Sequence, residues 1–266
     1  MRTIAIANQK GGCGKTTTAV NLAASCAELG QKVLLVDLDP QGHATMALGT
    51  KPEELILSTY EALTKDHISL TSIIRPGNIP GLDIAPSNVL LSGAEMELSI
   101  RQCREFFLTQ KLKQISANYD ICIIDCSPSL SILTLNALVA SNAIIVPVQT
   151  HYYAVEGLKQ LLDTIKIVQN RYHSNITEVR MLLTFVDART LLSRDIEQQI
   201  RDIFGDSIFQ TVIHRCVRLA EAPSANQTII TYAPDSKGAS EYMKLANEVC
   251  YNENENRITE ADLVNI

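Results

Sequence analysis

No apolar run in this 266-residue chain approaches the ~20 residues needed to span a bilayer. The longest are Val33-Leu34-Leu35-Val36, Ile121-Cys122-Ile123-Ile124 and Ile144-Ile145-Val146. A signal peptide is not expected either, because the apolar stretch Ile4–Ala7 runs directly into Asn8-Gln9-Lys10. The seven cysteines form no CxxC pair and no Cys/His cluster, which argues against a disulfide framework or a zinc site. They read as small buried hydrophobes. A basic excess is also lacking: the formal charge is -6, so any nucleic-acid contact must come from a local patch. No linker rich in Pro, Gly or Ser divides the chain, and no repeat is visible. The expectation is one domain over residues 1–250 and an acidic tail over 251–266, in a cytoplasmic protein.

What is present is an alternation of strand and helix. Short β-prone runs occur at Thr3–Ala7, Lys32–Asp37, Leu82–Ala85, Ile121–Asp125, Ala143–Pro147 and Met181–Val186. Most are continuously apolar, as in strands covered on both faces. Helical patterns lie between most of them; one starts at Lys15 and stops at Gly30. The order predicts an α/β fold, a mostly parallel twisted sheet with helices on both faces; taken with the glycine loop described next, it reads as a P-loop NTPase-like three-layer sandwich.

The strongest motif is Lys10-Gly11-Gly12-Cys13-Gly14-Lys15-Thr16-Thr17, between the first strand and the first helix. Glycines let backbone N–H groups approach phosphate oxygens, and the helix N-terminus adds donors and a positive dipole end. Lys15 is placed for the β- and γ-phosphates, and the Thr16 hydroxyl for Mg²⁺. The residues from Lys10 to Thr17 are therefore the candidate ATP contacts, with Mg²⁺ as cofactor. A second element, Asp37-Leu38-Asp39-Pro40-Gln41-Gly42, delivers two carboxylates to the C-terminal end of a buried strand, where ligands collect in open α/β sheets. A third, Asp120-Ile121-Cys122-Ile123-Ile124-Asp125, is a Walker B arrangement that places Asp125 near Mg²⁺, usually through water.

The general P-loop pattern wants a glycine where Gln9 stands. The K-G-G-x-G-K-T-T form instead resembles the deviant Walker A loop of the group that includes ParA, MinD and the nitrogenase iron protein. The resemblance implies that Lys10 reaches the nucleotide of a partner subunit in an ATP-bound homodimer. It also implies that Asp39 positions or activates the attacking water beside the metal, with Asp37 supporting the Mg²⁺ hydration shell. Lys10, Lys15 and Asp39 are thus the catalytic candidates, and Thr16, Asp39 and Asp125 the metal-side ones. The loop after Asp125 departs from the group, with Cys126-Ser127-Pro128 where Ala/Thr-Pro-Pro is usual.

Further segments resemble the ParA/Soj subfamily: Ser129–Leu138, Val146–Gln149, Tyr152–Leu158, Val217–Ser224 and Asp235–Ala239. The likeness covers about residues 1–250. It implies a weak, partner-stimulated ATPase that binds double-stranded DNA nonspecifically, associates with the nucleoid, and works with a ParB-type protein in chromosome or plasmid segregation. Arg189 and Arg218 are the DNA-contact candidates by resemblance, with Arg194 and Arg215 behind them. Between Asp187 and Ala220 five arginines face five acidic residues, so folding must separate the charges to make a patch. Ile213-His214-Arg215-Cys216 stands where Ile-Pro-Arg-Asn is typical, in a stretch that could also meet adenine. A MinD-like membrane cycle would need a basic amphipathic terminal helix, and the expected tail is acidic. A cluster-binding role would need grouped cysteines, which Cys103, Cys122 and Cys126 do not supply. An ATP-switched regulator of replication or transcription, or a positioning ATPase for another cargo, is the alternative reading.

Overall fold

A computed structural model describes residues 1–150, 154–172, 174–187 and 189–251, the side chains of 154–157 and 192 excepted. Part of the Tyr152–Leu158 segment and nearly all of the expected acidic tail lie outside the described residues. Seven strands build one sheet: β1 (Arg2–Ile6), β2 (Val33–Leu38), β3 (Arg75–Pro76), β4 (Leu82–Ala85), β5 (Ile121–Cys126), β6 (Ala143–Gln149) and β7 (Glu178–Thr184). Their order across the sheet is β3-β4-β2-β5-β1-β6-β7, and every pairing is parallel except β3 with β4. This is the α/β sheet the alternating sequence predicts.

β1, β2, β5 and β6 shift by one or two residues at their ends, and two strands depart further from expectation. β3 has only two residues, one of them proline, so no alternation marks it; the proline is tolerated because the strand lies at the sheet edge. β7 begins three residues earlier than its apolar run suggests, because buried Arg180 belongs to it. Arg180 donates to Glu248 over 2.9 Å and stacks its guanidinium 3.8 Å from the centre of the Phe209 ring. The strand stops at Thr184 because Phe185 takes a left-handed φ of 53°.

Strand side chains alternate between two faces. Ala5, Leu34, Val36, Ile124, Ile144 and Val146 enter one core, under helices that include Ile132–Ala140 and Ala154–Tyr172. Ile4, Ile6, Leu35, Ile123 and Leu182 enter the other, under Lys15–Glu28 and Lys237–Tyr251. Helix Lys15–Glu28 faces the sheet with Ala19, Ala23, Ala24 and Ala27, small residues that permit close approach. It ends through Gly30, whose φ of 85° is a left-handed helix stop. The Lys237–Tyr251 helix packs down at Gly238, where an added Cβ would meet Leu219 Cγ at 2.9 Å. That contact gives the Asp235–Ala239 segment a physical reason for its glycine.

Candidate functional site

β1 and β2 run forward from opposite sides of the chain's first crossover, and β5 lies between them. The C-terminal ends of β1, β2, β5 and β7 therefore converge on one edge, the place where an open parallel sheet binds ligands. The loop after β1 turns through Gly12 and Gly14, with φ of 70° and 91°. Gly14 also lies under Phe185, and a Cβ there would sit 3.1 Å from the ring. Helix Lys15–Glu28 starts directly after Gly14 without a side-chain cap and without an acidic residue in its first turn. Its leading N–H groups and positive dipole end are left for an anion.

The loop is fixed from inside. Lys15 is buried and donates from Nζ to the Lys10 carbonyl at 3.0 Å. The buried Cys13 thiol contacts the same carbonyl at 3.2 Å, and burial pushes that thiol's pKa up. Thr184 at the end of β7 donates to the Cys13 carbonyl at 2.9 Å, and Gln149 at the end of β6 to the Gly12 carbonyl at 3.2 Å. Lys10 is anchored by its backbone alone, its N–H donating to Asn8 Oδ1 at 3.0 Å. Its side chain is exposed, and its ammonium makes no hydrogen bond or ion pair among the described residues.

The three aspartates differ sharply in environment. Asp37 is fully buried and its oxygens are occupied: Thr45 donates from its backbone (2.9 Å) and hydroxyl (2.7 Å), and Asp39 N–H donates at 3.0 Å. The expected role in metal hydration thus competes with a positioning role, since Asp37 ties the Asp39 turn to the following helix. Asp39 is half-buried; its carboxylate accepts from Gln41 N–H at 2.9 Å and its carbonyl from the Ser87 hydroxyl at 2.8 Å. Asp125 is fully buried with both carboxylate oxygens lacking a hydrogen-bond partner. Burial, and then the charge of Asp37, hold its pKa well above the carboxylate range, while Thr16 and Lys15 draw it back. Burial also raises Asp37 to about 6 against its hydrogen bonds.

An unpartnered buried carboxylate beside a threonine at a helix start fits a hydrated magnesium ion. Among the described residues no three His, Cys, Asp or Glu side chains cluster with metal-ligand geometry. The fit is accordingly to an ion that keeps several waters and takes few protein ligands, which is the habit of Mg²⁺ beside phosphates.

Beside the loop opens a cavity of about 470 Å³, bordered by Gly14 and Thr17 at one end and by Phe185, Ile213, His214 and Leu219 along its walls. Its dimensions and apolar walls suit a purine base. Sequence reading reached this region through the glycine loop, the Ile213–Cys216 stretch and the Val217–Ser224 segment; Phe185, Thr184 and Tyr242 carry no motif signal and are brought in by the end of β7 and the last helix.

The expected DNA arginines are placed on two adjoining segments. Val186 bridges His214, and Arg215 N–H donates to the Val186 carbonyl at 3.1 Å, so the end of the Val186-Asp187 segment lies beside the His214–Arg218 stretch. Arg189 and Arg218 are both exposed, and each is paired locally: Arg189 with Asp187 at 3.0 Å, and Arg218 with Glu221 at 2.8 Å. Arg215 is exposed and makes no side-chain hydrogen bond or ion pair among the described residues. Arg194 is exposed on the helix that follows the turn.

Comparisons with known proteins agree with this geometry. A family model described as an AAA domain matches residues 1–178. The sporulation initiation inhibitor protein Soj of Bacillus subtilis is 47% identical over 249 residues, covering 94% of this chain and 98% of that one. The chromosome partitioning protein ParA of Myxococcus xanthus is 42% identical, covering 93% and 87%. Among solved structures, cobyrinic acid a,c-diamide synthase from Mycobacterium smegmatis with bound ATP analog and magnesium superimposes with a TM-score of 0.83 at 34% identity, covering 97% of this chain and all of that one. With a parallel sheet ending in a lysine-flanked glycine loop, and with relatives of this closeness along nearly its whole length, the chain belongs to the ParA/Soj family of chromosome-partitioning ATPases.

Proposed function

We propose that the protein is a Mg·ATP-dependent switch that dimerises when ATP is bound, binds DNA nonspecifically as that dimer, and is reset by slow hydrolysis stimulated by a ParB-type partner. The observation that carries this reading is the division of labour between Lys10 and Lys15. Lys15 is buried and turned into its own loop, while Lys10 holds the loop with its backbone and leaves its ammonium outside. A cation fixed at the root and unpaired at its head is placed to meet a phosphate brought by a second subunit. Because the charge it would neutralise arrives with nucleotide, association through it depends on ATP.

Within one subunit the roles divide as follows. Gly11, Gly12, Cys13, Gly14 and the first turn of the helix present N–H groups to the phosphates, and Thr17 lies where the loop meets the base cavity. Lys15 balances β- and γ-phosphate charge. Thr16 and Asp125 hold the magnesium site, which supplies charge neutralisation on the phosphates when filled. Asp39, on a turn pinned by Asp37 and Ser87, orients the attacking water. Loops ordered by the γ-phosphate relax after its release, and the dimer with them. Arg189, Arg218 and Arg215 form the cationic rim for DNA, on the two segments joined at Val186.

Sedimentation velocity tests the switch. With Mg·ATP the wild type is expected to shift from monomer to dimer, while Lys10→Ala binds ATP and stays monomeric. A Lys10→Ala protein that dimerises as readily as wild type would remove the basis of the reading.

A further inference from the structure

His214 stands where relatives of the ParA/Soj type are expected to carry proline, and the structure gives the imidazole a fixed environment. Its backbone N–H donates to Glu241 Oε2 at 2.9 Å, and its ring Nδ1 lies 2.7 Å from Glu241 Oε1. Glu241 is only 6% exposed on the last helix, with Lys237 Nζ 3.6 Å from the same oxygen. A carboxylate offers only lone pairs, so the hydrogen in the short contact belongs to Nδ1. In the neutral ring the remaining nitrogen, Nε2, is then an acceptor.

The same side chain lines the 470 Å³ cavity that opens from Gly14 and Thr17. Two other hydroxyls on that cavity are already engaged. The Thr184 hydroxyl donates to the Cys13 carbonyl, and the Tyr242 hydroxyl pairs with Thr18 at 3.3 Å. Phe185, Ile213, Leu219 and Pro223 supply apolar wall, and Arg215 is exposed to solvent. His214 is thus the group in the cavity whose hydrogen-bonding sense is fixed by a buried partner and still free to meet an occupant.

Resting on the proposed ATP site, we infer that His214 selects the base: its Nε2 accepts from the 6-amino group of adenine, with Glu241 acting as the positioning residue that fixes the tautomer. A 6-oxo purine would set carbonyl oxygen against this lone pair, two acceptors face to face. A site built around one hydrogen bond to the substrate rejects analogues that cannot make it, because a buried polar group is left unpaired.

The test compares three triphosphates in the presence of Mg²⁺: ATP, the 6-oxo analogue ITP, and purine riboside triphosphate, which carries hydrogen at position 6. Equilibrium binding to wild type is expected to favour ATP over both others by about tenfold, the size of one such hydrogen bond. His214→Ala should bring the three affinities together, leaving purine riboside triphosphate nearly unchanged. Glu241→Gln, whose amide can face Nδ1 with either end, should narrow the ATP/ITP ratio while binding of purine riboside triphosphate persists. A merely structural role for Glu241 would lower all three alike. Equal binding of the three by wild type, or an ATP/ITP ratio unmoved by His214→Ala, overturns the inference and leaves the ATP site standing. Failure of wild type to bind any of the three, or full ATP binding by Lys15→Ala, would overturn the ATP site itself and this inference with it.

Discussion

Asp37 and Asp125 are register partners on the adjacent parallel strands β2 and β5, and both carboxylates are fully buried. Asp37 is answered by Thr45 and Asp39, whereas no hydrogen bond of normal geometry reaches either Asp125 oxygen, and only the nearby Thr16 hydroxyl and Lys15 charge offset it. Without a cation the arrangement costs stability, and in the proposed reading its value lies in the charge it offers to Mg·ATP.

Replacing Asp125 by asparagine should therefore stabilise the nucleotide-free protein. Relief from burying a carboxyl that must be held protonated on folding is worth about 1–3 kcal/mol at neutral pH. Urea denaturation without nucleotide should show a higher midpoint, and the same variant should lose most of the stabilisation that Mg·ATP gives the wild type. A lower midpoint without nucleotide would mean that Asp125 is already balanced by a group inside the fold.

The pH dependence follows from the same pair. The carboxyl of Asp37 rises from 3.8 to about 6 on folding, so the folded state holds this proton more tightly than the unfolded chain. Its contribution to stability is fully present below about pH 4 and is lost as pH rises through about 6, a change of up to about 3 kcal/mol. Asp125 is displaced in the same direction. Denaturation free energy without nucleotide, measured on wild type and Asp37→Asn, should differ in slope across about pH 4 to 6, with wild type falling more steeply. Parallel profiles would remove the buried-proton account.

Arg180 and Glu248 join β7 to the last helix as a buried ion pair, and Glu248 also accepts from the backbone N–H groups of Gln210 and Thr211 at 2.8 and 3.0 Å. Glu248→Ala leaves a buried guanidinium without its carboxylate and two N–H groups without an acceptor, and should cost about 3–5 kcal/mol. Because this helix also carries Tyr242 to the cavity and Glu241 to His214, thermal melts should show a lowered midpoint together with a smaller shift on adding Mg·ATP.

In the proposed DNA complex, the local pairing of Arg189 with Asp187 and of Arg218 with Glu221 sets a cost, since each arginine would exchange a carboxylate for a phosphate. The double replacement Arg189→Ala/Arg218→Ala should reduce ATP-dependent retention of nonspecific DNA and lower the salt slope by about two. ATP-driven dimerisation should persist. Arg215→Ala, which removes a cation with no side-chain ion pair, should weaken DNA binding at least as much as either single change. An unchanged salt slope in the double variant would place the DNA surface elsewhere.

Much of this site was legible in the residues themselves, for a physical reason. The glycine loop and the strand-end aspartates are local: their spacing decides their geometry once strand and helix form. Strand β4 was placed residue for residue, because a short apolar run between turns admits few alternatives. What the chain order hides is pairing at a distance. Nothing local shows that Asp37 stands beside Asp125, that Arg180 is drawn into β7 by Glu248, or that Phe185 closes over Gly14. The antiparallel β3 is invisible for the opposite reason, since two residues with a proline carry no periodic pattern. His214 and Cys216 were visible only as departures from Ile-Pro-Arg-Asn; Glu241, which gives His214 its orientation, lies 27 residues further along.

The switch is tested most directly by sedimentation of Asp39→Ala with Mg·ATP in the presence of DNA fragments. Asp39 lies half-buried on its pinned turn, so its removal should spare nucleotide binding and stop hydrolysis. The expected result is a DNA-bound dimer that persists while wild-type complexes decay. A variant that hydrolyses ATP at the wild-type rate, or remains monomeric with ATP bound, would contradict the account.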